Sequence, residues 1–129
     1  MKKKYLIVIA DYYKDISKGL LDSALKRIPI SNSIKIIKVP GVFEIPITIS
    51  KNIKKYDAFL ALGCVIKGET PHFDFISLAS TNAIMDLSIS YKKPIGNGII
   101  TCLNMRQAKA RKKKGAEAAE AVISILSQK

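Results

Sequence analysis

The 129-residue chain predicts an α/β fold, a three-layer α/β/α sandwich around a four-stranded parallel sheet of order 2-1-3-4. Three observations predict it. Strand-length apolar runs alternate with segments of helical periodicity, in the order β-α-β-α-β-α-β-α-α. The run Phe59 to Ile66 is too apolar to alternate, so it reads as a strand covered on both faces. Right-handed crossovers between such strands make 2-1-3-4 the natural order.

Tyr5 to Ala10 is the first apolar strand, and the loop Asp11 to Asp15 follows its C-terminal end. Asp15 or Ser17 is expected to cap the next helix. Leu20, Leu21, Ala24, Leu25 and Ile28 give that helix an apolar face, and Pro29 ends it. Ile34 to Val39 alternates Ile and Lys, as an edge strand does. Pro40-Gly41 turns the chain. Phe43 to Lys54 reads as a short helix with Ile45, Ile49 and Ile53 four apart, and Pro46 fits only in its first turn.

The central strand and a polar loop, Lys67 to His72, come next. A long helix is expected from about Pro71 to Tyr91, with Ile76, Ala79, Ala83 and Leu87 on one face. Leu78, Ile84 and Met85 lie off that face, so this helix is expected to bury a second side, against another subunit. Lys93-Pro94 breaks it. Ile95 to Thr101 is the fourth strand, and Gly96 and Gly98 inside it mark a close approach to its backbone. Asn104 caps a short helix through Arg111. Lys112 to Gly115 is a basic hinge, and Ala118, Ala119, Val122, Ile125 and Leu126 mark a final amphipathic helix. No repeat or linker interrupts the pattern, so residues 1–129 read as one domain.

Composition narrows the function classes. With 48% hydrophobic and 25% charged residues the chain is an ordinary folded protein. No apolar run is long enough to span a bilayer, and no signal-peptide core follows Met-Lys-Lys-Lys-Tyr. The expected location is the cytoplasm, with no membrane partner. Cys64 and Cys102 lie far apart in apolar runs without a CxxC or Cys/His cluster, which argues for buried thiols and against zinc. The net charge is +12, but the lysines are spread over every segment. The one dense cluster, Lys109 to Lys114, has no interleaved aromatics to stack on bases. A local anion site suits it better than nucleic acid.

In an open α/β sheet, ligands bind beyond the C-terminal ends of the strands. Those ends gather Tyr12 and Tyr13, Pro40 to Glu44, Gly63 to His72, and Gly96 to Thr101. His72 is the only histidine. A lone histidine is commonly structural, but this one stands in a polar loop at a helix start, where imidazole suits proton transfer. Residue type alone leaves both readings open. Thr70 either holds an anion at the helix N-terminus or caps the helix. The loop has no Walker A spacing. Phe43 and Glu44 can pack on a ring and accept from hydroxyls, though spacing favours a plain turn. Arg111 and Lys114 are a solvated basic face or a phosphate site.

The stretches Val39-Pro40-Gly41-Val42-Phe43-Glu44-Ile45-Pro46 and Ala61-Leu62-Gly63-Cys64-Val65-Ile66-Lys67-Gly68-Glu69-Thr70-Pro71-His72-Phe73-Asp74 closely resemble the two signature segments of the lumazine synthase family. The resemblance extends to strand one, Pro94 to Thr101 and Lys114 to Ala119. It implies a flavodoxin-like fold and a riboflavin-pathway transferase that needs no cofactor and no metal. Such enzymes condense 5-amino-6-(D-ribitylamino)uracil with 3,4-dihydroxy-2-butanone 4-phosphate, releasing phosphate and water. By the same resemblance, Tyr12 stacks on the pyrimidine, and Val42, Phe43 and Glu44 hold the ribityl chain. Cys64, Val65 and Ile66 border the pyrimidine, Glu69 and Thr70 form the phosphate turn, and His72 transfers protons. Asn97 is a substrate contact, and Arg111 and Lys114 bind phosphate. Family sites lie between subunits of a homopentamer, so Asn97, Arg111 and Lys114 are expected to serve a neighbour's site.

The chain departs from the family pattern in four places. Asn97 replaces a common aromatic, exchanging a stacking surface for a hydrogen-bonding group. Leu103 stands where an acidic residue is frequent, and nothing in the sequence explains it. The hinge before the last helix is shorter than usual. Strand one begins almost at Met1, without the arm of shell-forming relatives, which points to a pentamer or a small assembly of pentamers. Two competing readings remain: a non-catalytic flavin- or lumazine-binding module of the same fold, and a nucleic-acid binder motivated by charge.

Overall fold

The computed structural model describes residues 2–128. Four strands, β1 (Lys4–Ala10), β2 (Ser33–Val39), β3 (Ala58–Ile66) and β4 (Ile95–Cys102), form one sheet. All neighbouring pairs are parallel and the order is β2-β1-β3-β4, as the crossover rule predicts. The helices are α1 (Lys14–Leu25), α2 (Ile45–Asn52), α3 (His72–Tyr91), α4 (Met105–Ala110) and α5 (Lys114–Leu126), and a 3₁₀ turn (Val42–Glu44) leads into α2.

The pleat of the two inner strands explains the three layers. Tyr5, Ile7 and Ile9 of β1 and Leu60, Leu62 and Cys64 of β3 point to one face. There they meet Ile16, Leu20 and Ala24 of α1 and Ala118, Ala119 and Val122 of α5. Leu6, Val8, Phe59 and Ala61 point to the other face, against Val42, Ile45, Ile49 and Ile84. Both faces are dry, so the strands carry apolar side chains at successive positions and cannot alternate. β2 sits at an edge, and its exposed Lys35 and Lys38 keep that edge from pairing with another chain.

Glycine is required where α5 crosses β4. A Cβ on Gly96 would run into the Ala118 carbonyl and approach Leu60 Cδ2 to 2.7 Å, and one on Gly98 would meet Leu62 Cδ2 at 2.5 Å. The close approach expected at these glycines is therefore the last helix lying directly on the strand.

Two local expectations are corrected. Neither Asp15 nor Ser17 caps α1. The helix already starts at Lys14, and its cap residue is Tyr13, without a side-chain bond. A side chain inside the helix cannot serve the cap position. The buried Ser17 Oγ donates instead to the Ala10 carbonyl at 2.6 Å, tying α1 to the end of β1. In α3 the buried positions are Ser80 and Ile84, flanked by the half-buried Ile76, Ala83 and Leu87, whereas Ala79 is exposed. Polarity hid Ser80 from the periodic pattern. Its hydroxyl is satisfied within the helix by the Ile76 carbonyl at 2.7 Å, so burial costs it no hydrogen bond. Asn104 caps α4 as expected, accepting from the Gln107 N–H at 2.9 Å. α3 is capped after Tyr91 by Lys92, a non-glycine residue in the left-handed region with φ 54°.

Candidate active site

A cavity of about 660 Å³ opens beyond the C-terminal ends of β1 and β3. Tyr12 and Tyr13 reach it from the loop after β1. Gly41, Val42, Phe43 and Glu44 reach it from the turn after β2. Cys64, Val65 and Ile66 come from the end of β3, and His72 and Ile76 from the first turns of α3. Stretches distant in sequence therefore converge because parallel strands deliver all their following loops to one edge of the sheet.

The cavity is mostly apolar, with few polar groups. Tyr12 and Tyr13 meet edge to face, their ring centroids 4.8 Å apart at 84°. Tyr12 is 74% exposed and Phe43 64%, so two largely exposed aromatic residues line the cavity. Such a lining suits a planar ligand, and Glu44 provides an acceptor for hydroxyls beside it. The Cys64 thiol is pushed up to about 12, first by burial and then by Cys102 beside it. It is a neutral wall group here, not a nucleophile. Burial, reinforced by Cys64 and Tyr12, also raises the Tyr13 phenol above its ordinary value. His72 is exposed on the first residue of α3, and its backbone N–H lies 3.4 Å from Thr70 Oγ1, a long bond for a cap.

Of the sequence-predicted residues, Tyr12, Val42, Phe43, Glu44, Cys64, Val65, Ile66 and His72 share this cavity. Glu69 and Thr70 lie exposed in the loop that leads to His72, outside the cavity wall. Asn97 is exposed on β4, its Oδ1 accepting from the Ile99 N–H at 3.0 Å. Arg111 and Lys114 line a second cavity of about 450 Å³ together with Ile99, Thr101, Lys113 and Glu117. There Arg111 Nη1 donates to the Thr101 carbonyl at 3.2 Å, and Lys114 Nζ lies 3.4 Å from Glu117. The sequence reading gathered Tyr13 and Gly41 at these strand ends without giving either a role in the site, and it left Ile76 out. Ile76 was legible, since it lies one turn beyond His72 and shares its side of α3. The role of Tyr13 was not, because it depends on where its ring packs.

Among the described residues, no three His, Cys, Asp or Glu side chains cluster as a metal site would require. None of the helices there is long and apolar enough to cross a membrane.

The sequence profile of the 6,7-dimethyl-8-ribityllumazine synthase family matches residues 2–129. Named relatives agree with it. A 6,7-dimethyl-8-ribityllumazine synthase of Methylorubrum populi is 44% identical over 139 residues, covering 98% of this chain and 82% of the relative. The protein called 6,7-dimethyl-8-ribityllumazine synthase 1 in Rhodopseudomonas palustris is 42% identical over 136 residues, covering 95% and 83%. A more divergent relative of that name, from Cutibacterium acnes, is 39% identical over 133 residues, covering 96% and 80%. With a whole-chain match, this parallel sheet and this cavity, the chain belongs to the 6,7-dimethyl-8-ribityllumazine synthase family.

Proposed function

We propose that the chain catalyses the condensation of 5-amino-6-(D-ribitylamino)uracil with 3,4-dihydroxy-2-butanone 4-phosphate, a transferase step of riboflavin biosynthesis. The observation that carries this reading is the convergence of Tyr12, Phe43, Glu44 and His72 on one cavity at the strand ends, in a chain of this family. The pyrimidine stacks on Tyr12 and lies along Cys64, Val65 and Ile66. Its ribityl hydroxyls face Val42, Phe43 and Glu44. Glu69 and Thr70 form the turn that receives the phosphate, and its position just before α3 gives it the positive end of a helix dipole.

The chemistry is proton transfer and orientation. The ring amine adds to the butanone carbonyl, and water leaves to form an imine. Phosphate is then eliminated, and the ribityl-bearing amine condenses with the carbonyl so formed, closing the second ring with loss of a second water. Each step moves a proton, and His72 at the cavity wall is the group to move it. Holding two substrates face to face supplies much of the acceleration. Cationic groups stabilise the departing phosphate. Arg111 and Lys114 are the cations for that task, but they line the other cavity of their own chain. They and Asn97 therefore serve the site of a neighbouring subunit in a homopentamer.

The outer side of α3 supports such an assembly. Phe75, Leu78, Met85 and Ile89 are all exposed on it, a run of large apolar side chains that another subunit would cover. The two free, buried cysteines support a reducing, cytoplasmic setting.

The test is direct. Purified protein receives both substrates, and lumazine formation is followed by absorbance and fluorescence. Product must appear faster than in the uncatalysed mixture. A rate equal to that background refutes the enzyme and leaves a binding module. Light scattering must give the mass of a pentamer or a multiple of it.

A further inference from the structure

We propose that Ser23 is a positioning residue for the phosphate-binding cations. Its hydroxyl holds the backbone on either side of Lys114 and so sets the affinity for the phosphorylated substrate. The proposal rests on the reading that Arg111 and Lys114 bind phosphate.

The first turn of α5 lacks a cap of its own. The residue at its cap position is Lys113, which makes no side-chain bond. Helix starts leave N–H groups without intrahelical partners, and a side-chain oxygen normally satisfies one of them. Here that oxygen comes from another helix. Ser23 Oγ, in the last turn of α1, accepts at 3.1 Å from the Ala116 N–H, which also donates to the Lys113 carbonyl at 3.0 Å. The same hydroxyl lies 3.0 Å from the Lys112 carbonyl oxygen and 3.0 Å from the Leu20 carbonyl of its own helix, and shares its one hydrogen between them. One side chain thus holds the chain at Lys112 and at Ala116, and Lys114 stands between those two points. Arg111 immediately precedes them, and the Lys114 N–H donates back to the Arg111 carbonyl at 3.0 Å.

Other contacts belong to the same fastening. Gly115 lies so close to α1 that a Cβ there would collide with the Leu20 carbonyl and come within 2.6 Å of Ser23 Oγ. Lys112 Nζ pairs with Asp15 at 3.0 Å, and its aliphatic stem lies over Gly19. The Lys112 ammonium holds the Asp15 carboxyl below its ordinary range. The segment that carries both cations is consequently registered against α1 as well as by the backbone bonds to its own flanking helices.

The experiment compares Ser23→Ala, Asp15→Asn and Arg111→Ala in the oligomeric enzyme. Steady-state kinetics are run separately in each substrate, and inorganic phosphate is titrated as a competitive inhibitor. Ser23→Ala is expected to raise KM for the butanone phosphate and Ki for phosphate by about three- to tenfold, since part of what a cap contributes to stability then goes to re-forming the cation segment on binding. KM for the pyrimidine stays within about twofold, since its pocket is built from other loops. Asp15→Asn shifts the same two constants in the same direction, by about two- to threefold, because that pair is exposed. A purely structural serine would reduce the active fraction and leave both KM values alone, and that result overturns the proposal. If Ser23→Ala does not fold, Asp15→Asn decides by the same split, and unchanged phosphate constants overturn it. If Arg111→Ala raises the phosphate constants and Ser23→Ala does not, the positioning role alone is wrong. If Arg111→Ala leaves them unchanged, the phosphate assignment falls and the positioning role falls with it.

Discussion

His72 and Arg111 line different cavities of the same chain. His72 stands at the start of α3 in the cavity beyond β1 and β3, and Arg111 stands after α4 beside Thr101 at the far edge of the sheet. On the proposed reading, the proton shuttle and the phosphate cation of one site come from two chains. Mixed oligomers test this. His72→Ala protomers, impaired in turnover, and Arg111→Ala protomers, impaired in use of the phosphorylated substrate, are co-expressed so that they assemble together. In a head-to-tail ring about a quarter of the sites then receive His72 from one chain and Arg111 from the next. The mixture is expected to exceed both parents in activity. No gain on mixing means that each site is built within one chain.

His72→Ala alone is expected to lower turnover by roughly 10²–10⁴-fold, the range for losing a general acid–base group. KM for both substrates changes little, because the apolar wall and the tyrosines remain. Rapid-mixing kinetics check it. A loss smaller than about tenfold would assign the acceleration to substrate orientation, with His72 as a wall residue.

The Cys64 thiol carries a pH prediction. Its ordinary value is 9.0, and in the fold it lies at about 12. The unfolded chain therefore releases this proton first. The stability contributed by the neutral thiol is complete below about pH 9 and is lost as the pH rises toward about 12. At pH 8 the native thiolate fraction is roughly a thousandfold below that of the unfolded chain. Alkylation of Cys64 by iodoacetamide, read by mass spectrometry with and without denaturant, should show a ratio of that order. Equal labelling rates would mean an exposed, ordinary thiol.

Gly96→Ala is expected to cost about 1–3 kcal/mol, because the new methyl meets a backbone carbonyl of α5 that can move only with the helix. Gly68→Ala is the control. No heavy atom lies within 4 Å of its Cβ position, so its effect should stay within about 0.5 kcal/mol. Urea denaturation of both variants checks the pair. Equal stabilities would show that α5 does not press on β4.

The layers were legible in the sequence because burial on both faces leaves a mark in single residues. Phe59 to Ile66 reads as a central strand from composition alone, and Lys35 and Lys38 mark β2 as an edge. Helix faces were legible less evenly. Ile45, Ile49 and Ile53 are buried as their spacing predicts. In α3 the reading chose Ala79 over Ser80, since hydropathy cannot foresee a hydroxyl satisfied by its own helix.

The residues of the site could be named from the order of the chain, because parallel strands send their loops to one edge whatever the loops contain. Sequence order by itself therefore brought Tyr12, Phe43, Glu44, Cys64 and His72 to one place. It could not say which cavity Arg111 and Lys114 occupy. That depends on where α4 leaves β4, and on Ser23 and Asp15 holding the start of α5 against α1. These contacts join residues about ninety positions apart through single hydroxyl and carboxylate groups, which leave no periodic trace in a sequence. Only the packing of one helix on another decided them.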